Sequence, residues 1–326
     1  MNRRHFLKQS ANAAVTGAGL MLAPGLIRPV MAGGNKVRLR IGYLPITDHL
    51  LIIAAERESF ARVQIQPLRF SSWPEIAEAL KAGAIDGGYL LTPMGLTLRA
   101  MGAPIQAVML GHRNGSVITV KRDAGIERIA DLKGRTIAVP SPFSTHNILL
   151  RKVLADHQVD MSTVRIIDLA PPEMVNALAS GRIDCYIVAE PFGVQAEALE
   201  VGKVLMLSKD IWQDHICCVL NLREAVINQH PEVVEEMLQG MARTARFVQA
   251  KPAAAAKGSV KLLGQRPEII ETVLTTPQGR ITFNDLMPRQ HDFSATQALM
   301  QQFGIARGAV DLEEYLNDRL LRAEVA

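Results

Sequence analysis

The chain has 326 residues, of which 48% are hydrophobic and 21% charged, and a formal net charge of +4. Such a composition supports a buried core and excludes an intrinsically disordered chain. The positive excess lies entirely in residues 1–32, where Arg3, Arg4, Lys8 and Arg28 stand without an acid; the rest has 32 basic and 32 acidic residues, which excludes a phosphate-binding stripe and with it nucleic acid as a partner.

The N-terminus, NRRHFLKQSANAAVTGAGLMLAPGLIRPVMAGG, has a basic start, a weakly apolar middle and a small-residue V-M-A site. This reads as a secretory signal over residues 1–32, cut after Ala32. Arg3 and Arg4 before His5, Phe6, Leu7 and Lys8 resemble the twin-arginine export motif, which makes the twin-arginine translocase and signal peptidase expected partners. No second long apolar run follows, so the mature chain reads as soluble and periplasmic.

Two strand-to-helix junctions come next in duplicate. VRLRIGYLPITDH at 37–49 is similar to GRTIAVPSPFSTHN at 134–147, and PEIAEALKAGAIDGGYLLTP at 74–93 to PEMVNALASGRIDCYIVAEP at 172–191. The second pair shares eight of twenty residues at a constant offset of 98. In each copy Pro opens a helix, apolar residues recur at helical spacing, Gly83 or Gly181 ends the helix, and an apolar strand follows. Apolar runs at 63–68 and 164–169 supply a preceding strand. Two such copies predict an α/β fold of two lobes, each a mainly parallel sheet flanked by helices, with a hinge between them. We expect lobe 1 to span 33–117 plus 216–326 and lobe 2 to span 118–215. The helix-rich remainder from about 220 onward has no partner copy and is expected to pack back on lobe 1.

Three cysteines remain in the mature chain, Cys185, Cys217 and Cys218, all in strand-like runs. They read as buried free thiols. A disulfide from Cys185 to one of the pair, and metal binding by His215, Cys217 and Cys218, are the alternatives, although the spacing of a structural zinc site is absent.

The order DLKGRTIAV, PFSTHNILLRKVLA, PPEMVNALASGRIDCYIVAEPF and IWQDH resembles the periplasmic substrate-binding proteins of ABC importers. Within the nitrate/sulfonate/taurine group it is most similar to the nitrate- and bicarbonate-binding branch. The resemblance implies a two-lobed fold of the type II binding-protein kind that closes on a small nitrate-, nitrite-, bicarbonate- or cyanate-like anion. It implies delivery of that solute to an inner-membrane permease with its ATPase, a monomer, no enzymatic activity, and neither cofactor nor metal. An organic sulfonate or pyrimidine is the alternative cargo, and a metal or redox protein the alternative class. No nucleophile elbow, HExxH or phosphate loop favours an enzyme.

The resemblance also assigns candidate ligand residues. Trp73 would wall the ligand and donate from its indole, Ser116 would contact it, and Thr145 and His146 would hold it at a helix start. Helix capping by Ser144 or Thr145 is the structural alternative. Glu190 is read as an inter-lobe latch or an orienter of His146, since a carboxylate facing an anion repels it. Asp48 and His49 form the matching first-lobe lip, with Asp48 a candidate helix cap and the His49/His146 pair a source of pH sensitivity. One departure stands out: relatives follow I-W-x-x-H with Pro-Glu-Lys, whereas Ile216, Cys217 and Cys218 stand here. Cys218 thus occupies the place of a cleft lysine, and Cys217 that of an acid linked to calcium. His146, His49 or Arg113 is expected to replace the missing charge, a neutral or zwitterionic solute being the alternative.

Overall fold

The computed structural model describes residues 36–305 and 309–321. The expected signal sequence of residues 1–32 lies outside them. The strands are β1 (Val37–Tyr43), β2 (Val63–Arg69), β3 (Gly87–Leu91), β4 (Ile105–Leu110), β5 (Arg113–Asn114), β6 (Ser116–Lys121), β7 (Thr136–Val139), β8 (Arg165–Asp168), β9 (Cys185–Ala189), β10 (Gly202–Leu207), β11 (Cys218–Arg223) and β12 (Ile281–Thr282). Two five-stranded sheets have the orders β2-β1-β3-β11-β4 and β10-β6-β9-β7-β8, and β5 pairs with β12 in a small third sheet.

From its β8 edge, the second sheet repeats the strand order of the first, with β8, β7, β9, β6 and β10 in the places of β2, β1, β3, β11 and β4. In each, the strand next to one edge runs parallel to two neighbours, β1 with β2 and β3, β7 with β8 and β9. The helices Trp73–Lys81 and Pro171–Ala179 occupy equivalent places. Each is followed by a glycine in the left-handed region, Gly83 at φ 69° and Gly181 at φ 74°, which turns the chain back toward the sheet at little steric cost. The sheets are mainly parallel, as expected, with four strands of each running one way and a single strand reversed. β11 lies antiparallel between β3 and β4, and β6 lies antiparallel between β9 and β10. Apolar runs such as VITV and CVL carry no mark of strand direction, because both faces of these strands are buried.

The chain leaves the first sheet after β4 and enters the second at β6; it returns after β10 to enter the first at β11. The two crossings lie side by side, with an isolated bridge between Arg113 and Ile216 and a hydrogen bond from the Asn114 N–H to the His215 carbonyl at 3.0 Å. Helices after β11 pack on first-sheet elements. The Glu236 carboxylate accepts from the N–H groups of Ala61, Arg62 and Val63, and the Tyr43 hydroxyl donates to the Leu262 carbonyl at 2.9 Å. One apolar core runs through the first sheet and these helices, and a smaller one, centred on Ile118, Ile137, Leu150 and Ile187, fills one face of the second. Among the described residues no helix is long and apolar enough to cross a membrane.

Candidate functional site

Strand ends and helix starts from both sheets meet at the crossings. After β1 the chain turns into the short helix Thr47–Ile53, and after β7 into the helix Thr145–Asp156. The Thr47 N–H donates to the Glu190 carbonyl at 2.9 Å, so the two halves touch directly. Trp73, Ser116, Thr145, His146, Glu190, Cys218, Asp48 and His49 are all fully buried.

Most of them form one cluster. The Trp73 indole lies 5.7 Å from the His146 ring and 6.0 Å from that of His49, which stacks on Tyr89 at 4.8 Å. Ser116 Oγ sits 3.0 Å from His146 Nε2 and 4.0 Å from Cys217 Sγ. Thr145 Oγ1 donates to the Cys217 carbonyl at 3.5 Å. Ser144 caps its helix by accepting from the Asn147 N–H, so the capping alternative holds for Ser144. Cys218 Sγ lies 3.9 Å from Asp48 Oδ2.

Three expectations are corrected. Asp48 caps no helix; it sits in the first turn of its helix and faces His112, with Oδ2 3.1 Å from Nε2. Glu190 does not orient His146. Its Oε2 accepts from the Gly193 and Val194 N–H groups, and its Oε1 lies 3.0 Å from Arg280 Nε, an ion pair rather than an aligned hydrogen bond. Since Arg280 belongs to the segment that pairs with β5, the latch role is the one the contacts fit. Finally, neither Arg113 nor the two histidines replaces the missing lysine. Arg113 is committed to Asp292 and Asp285 and to the carbonyls of Asp214 and Asp285.

Burial governs the charge states. It pulls His146 down to about 3, with His215 adding to the shift, and takes His49 well below its ordinary value. Burial thus favours the neutral form of both rings. Burial opposes a charge on His112 too, yet the Asp48 carboxylate outweighs it and pushes the imidazole up to about 10. Burial raises Asp48, against the pull of His112, so the pair shares one proton. Cys218 is held well above its usual range by burial and by Cys217, whereas Cys217 is lowered, its burial being outweighed by Cys218 and His112.

His112 is the residue the sequence reading did not place in the site, whereas Cys217 entered it as the counterpart of a relative's acid and as a possible metal ligand. Asp48, His112, Cys217 and Cys218 bring their ligand atoms within 4.8 Å of one another, all buried. His215, expected with the cysteines, is not among them; it lies 6.0 Å from Trp212. All three cysteines are free, so the Cys185 disulfide is not formed. A separate open groove of about 570 Å³ borders the crossings, lined by Arg113, Trp212, His215, Asp285 and Asp292 among others, and Arg113 there is paired with Asp285 and Asp292.

Two α/β lobes joined by paired crossings, with a buried polar cluster between strand ends, are the fold of the two-lobed periplasmic binding proteins. The ligand-binding component of an ABC-type import system from Staphylococcus aureus, solved with zinc bound, superposes with a TM-score of 0.81 at 24% identity over 89% of this chain and 99% of that one. The periplasmic nitrate-binding protein NrtA from Synechocystis PCC 6803 does so at 0.79, with 18% identity over 88% and 87%. The chain belongs to the NMT1-like family, whose model matches residues 32–264. Among curated relatives, the nitrate import ATP-binding protein NrtC of Synechocystis is 30% identical over 252 residues, 70% of this chain; the chain spans only 37% of that protein's length.

Proposed function

We propose that the protein is the periplasmic solute-capturing component of an ABC importer, exported by a twin-arginine signal and handing a small planar solute to an inner-membrane permease. The reading rests on one observation. Thr47 Oγ1, His49 Nε2, Trp73 Nε1 and His146 Nδ1, from both halves of the chain, are buried polar atoms without a protein hydrogen-bond partner. Such atoms are costly unless a ligand satisfies them. A solute touching both halves favours the closed arrangement, which is the signal a permease can read.

The donor and acceptor pattern narrows the solute. His49 Nδ1 accepts the Leu44 N–H at 2.8 Å, so Nε2 carries the proton and donates, as does the Trp73 indole. Asp48 Oδ1 is also without a partner and can only accept while ionised. A solute that both accepts and donates therefore fits best: bicarbonate, or a small organic molecule with adjacent C=O and N–H groups such as a pyrimidine. Nitrate, nitrite and alkanesulfonates only accept, and so offer Asp48 Oδ1 no hydrogen.

Thermal unfolding of the mature chain against bicarbonate, cyanate, nitrate, nitrite, taurine, alkanesulfonates and pyrimidines tests this. Saturation at ~100 times the dissociation constant adds ~2.7 kcal/mol, a shift of several degrees. We expect it from a donor-acceptor solute and expect His146→Ala to remove it. A shift with nitrate alone would refute the narrowing, and silence across the panel would count against the importer reading itself.

A further inference from the structure

The geometry points to a metal site at the crossings: Asp48, His112, Cys217 and Cys218 form a four-donor cage for a thiophilic divalent cation of the zinc class. The inference does not depend on the importer reading.

The donors come from three places that the fold draws together. Asp48 opens the turn after β1, His112 stands on the outgoing crossing, and the cysteines end the returning one. The Gly111 N–H donates to the Cys218 carbonyl at 2.8 Å, and the Thr92 N–H to the Cys217 carbonyl at 2.8 Å, so the backbone holding the thiols is pinned on both sides. Two glycines leave room for this approach. A Cβ on Gly111 would stand 3.1 Å from the carbonyl oxygens of Asp48 and Cys218. One on Gly115, whose φ is 88°, would stand 3.0 Å from both Asp48 Oδ1 and His112 Nδ1.

The donor set selects the ion. Two sulfurs and an imidazole suit zinc far better than calcium or magnesium, which take oxygen ligands. Zinc bonds of about 2.0 Å to nitrogen or oxygen and about 2.3 Å to sulfur put tetrahedral ligand atoms roughly 3.3–3.8 Å apart. The donor atoms here lie within 4.8 Å of one another, and Asp48 Oδ2 and His112 Nε2 already lie 3.1 Å apart, so small side-chain rotations complete the cage. Little within the protein competes for these atoms. Neither ring nitrogen of His112 has an aligned hydrogen bond, and the Cys218 sulfur lies 3.9 Å from Asp48 Oδ2 and beside the Cys217 thiol.

Four titratable groups without solvent contact need a reason to share a site. A divalent cation supplies one, replacing protons on the thiols and on His112 and meeting the Asp48 charge. With four protein donors the shell is closed, the pattern of ions that hold structure rather than perform catalysis. Because the ligands sit on both crossings and on the first-lobe lip, the bound ion clips the hinge.

The test uses the mature full-length chain, reduced and stripped with chelator, titrated with Co²⁺ and then Zn²⁺. We expect one equivalent of cobalt to give the intense visible bands of a tetrahedral site with a sulfur-to-cobalt charge-transfer band in the near ultraviolet. Zinc should bleach both and raise Tm by several degrees. The Cys217→Ser/Cys218→Ser double variant and His112→Gln should lose the cobalt spectrum, while Cys185→Ser keeps it. X-ray absorption of the native zinc complex reads the shell without any variant: two sulfur and two lighter scatterers are expected. No tetrahedral spectrum at one equivalent, a spectrum that survives in the double variant, or a sulfur-free shell would overturn the site. A solute-induced Tm shift in a chain that retains no metal would leave the importer reading standing and this one refuted; zinc binding without any solute response would do the reverse.

Discussion

Replacing Arg280 with Met should destabilise the protein far more at alkaline than at acid pH. Glu190 and Arg280 are both nearly inaccessible, and the guanidinium is the only cation paired with that carboxylate among the described residues. Burial pushes Glu190 up from 4.5 to about 7, even though Arg280 and the Gly193 and Val194 N–H groups pull it down. The sign follows from linkage. A carboxyl whose folded pKa is raised holds its proton more tightly when folded, so its contribution is fully present below about 4.5 and is lost as pH rises through about 7. Over that window the change is about 3 kcal/mol. Without Arg280 the ionised carboxylate stays buried and uncompensated, a loss of about 3–5 kcal/mol when the charge is forced to form. At roughly pH 5 Glu190 is already protonated and the loss should fall to the packing cost alone. Urea unfolding of solute-free native chain, Arg280→Met, Glu190→Gln and the double variant at the two pH values supplies the numbers. His146 and His215, both pulled down to about 3 by burial, tilt stability the opposite way in the same window, so the comparison is between variants and not of absolute slopes. Equal losses for Arg280→Met at both pH values, or a double variant no better than the single at high pH, would refute the assignment of the buried charge to Glu190.

Solute affinity should be insensitive to His49 and His146 ionisation between roughly pH 5.5 and pH 8, because both rings are neutral throughout; calorimetry showing a strong pH dependence that His146→Gln abolishes would contradict this. Tyr315→Phe should cost about 1–3 kcal/mol in urea unfolding, since the Tyr315 hydroxyl donates to buried Asn221 Oδ1 at 2.6 Å and its removal strands that acceptor. Gly95→Ala should cost a similar amount by crowding, as its Cβ would lie 2.3 Å from the Tyr315 hydroxyl. Trp73→Ala should cost about 3–5 kcal/mol and abolish the solute-induced Tm shift; Trp73→Phe should keep most of the stability and lose most of the shift, because only the indole N–H is gone.

The duplicated segments made the architecture legible. The 98-residue offset places β3 against β9 and helix 73–81 against helix 171–179, and the glycine that ends each helix adopts the conformation glycine permits. What stayed hidden was the exchange of antiparallel strands. β6 and β11 carry the chain between lobes and insert beside β9 and β3, but they are not copies within the repeat, and a wholly apolar run reads the same in either direction. The parallel arrangement suggested by helix-linked strands therefore holds for four strands of each sheet and fails only for the crossing strand, β11 or β6.

The site was legible where its residues sit on the repeat and obscure where they do not. Trp73 and His146 begin helices at strand-end junctions, places a sequence can mark. His112 stands before a crossing that only the fold brings beside Cys217 and Cys218, and Arg280 reaches Glu190 from ninety residues away. Burial then overrode the chemistry that residue type suggested. Two histidines that looked like switches are held neutral, while His112, equally buried, keeps its proton because a carboxylate lies 3.1 Å away. A cysteine where the resemblance implies a lysine is thus no simple loss of charge. Cys218 stands beside an acid, an imidazole and a second thiol, so the same position that would carry a fixed cation is one where the charge has to be brought in from outside.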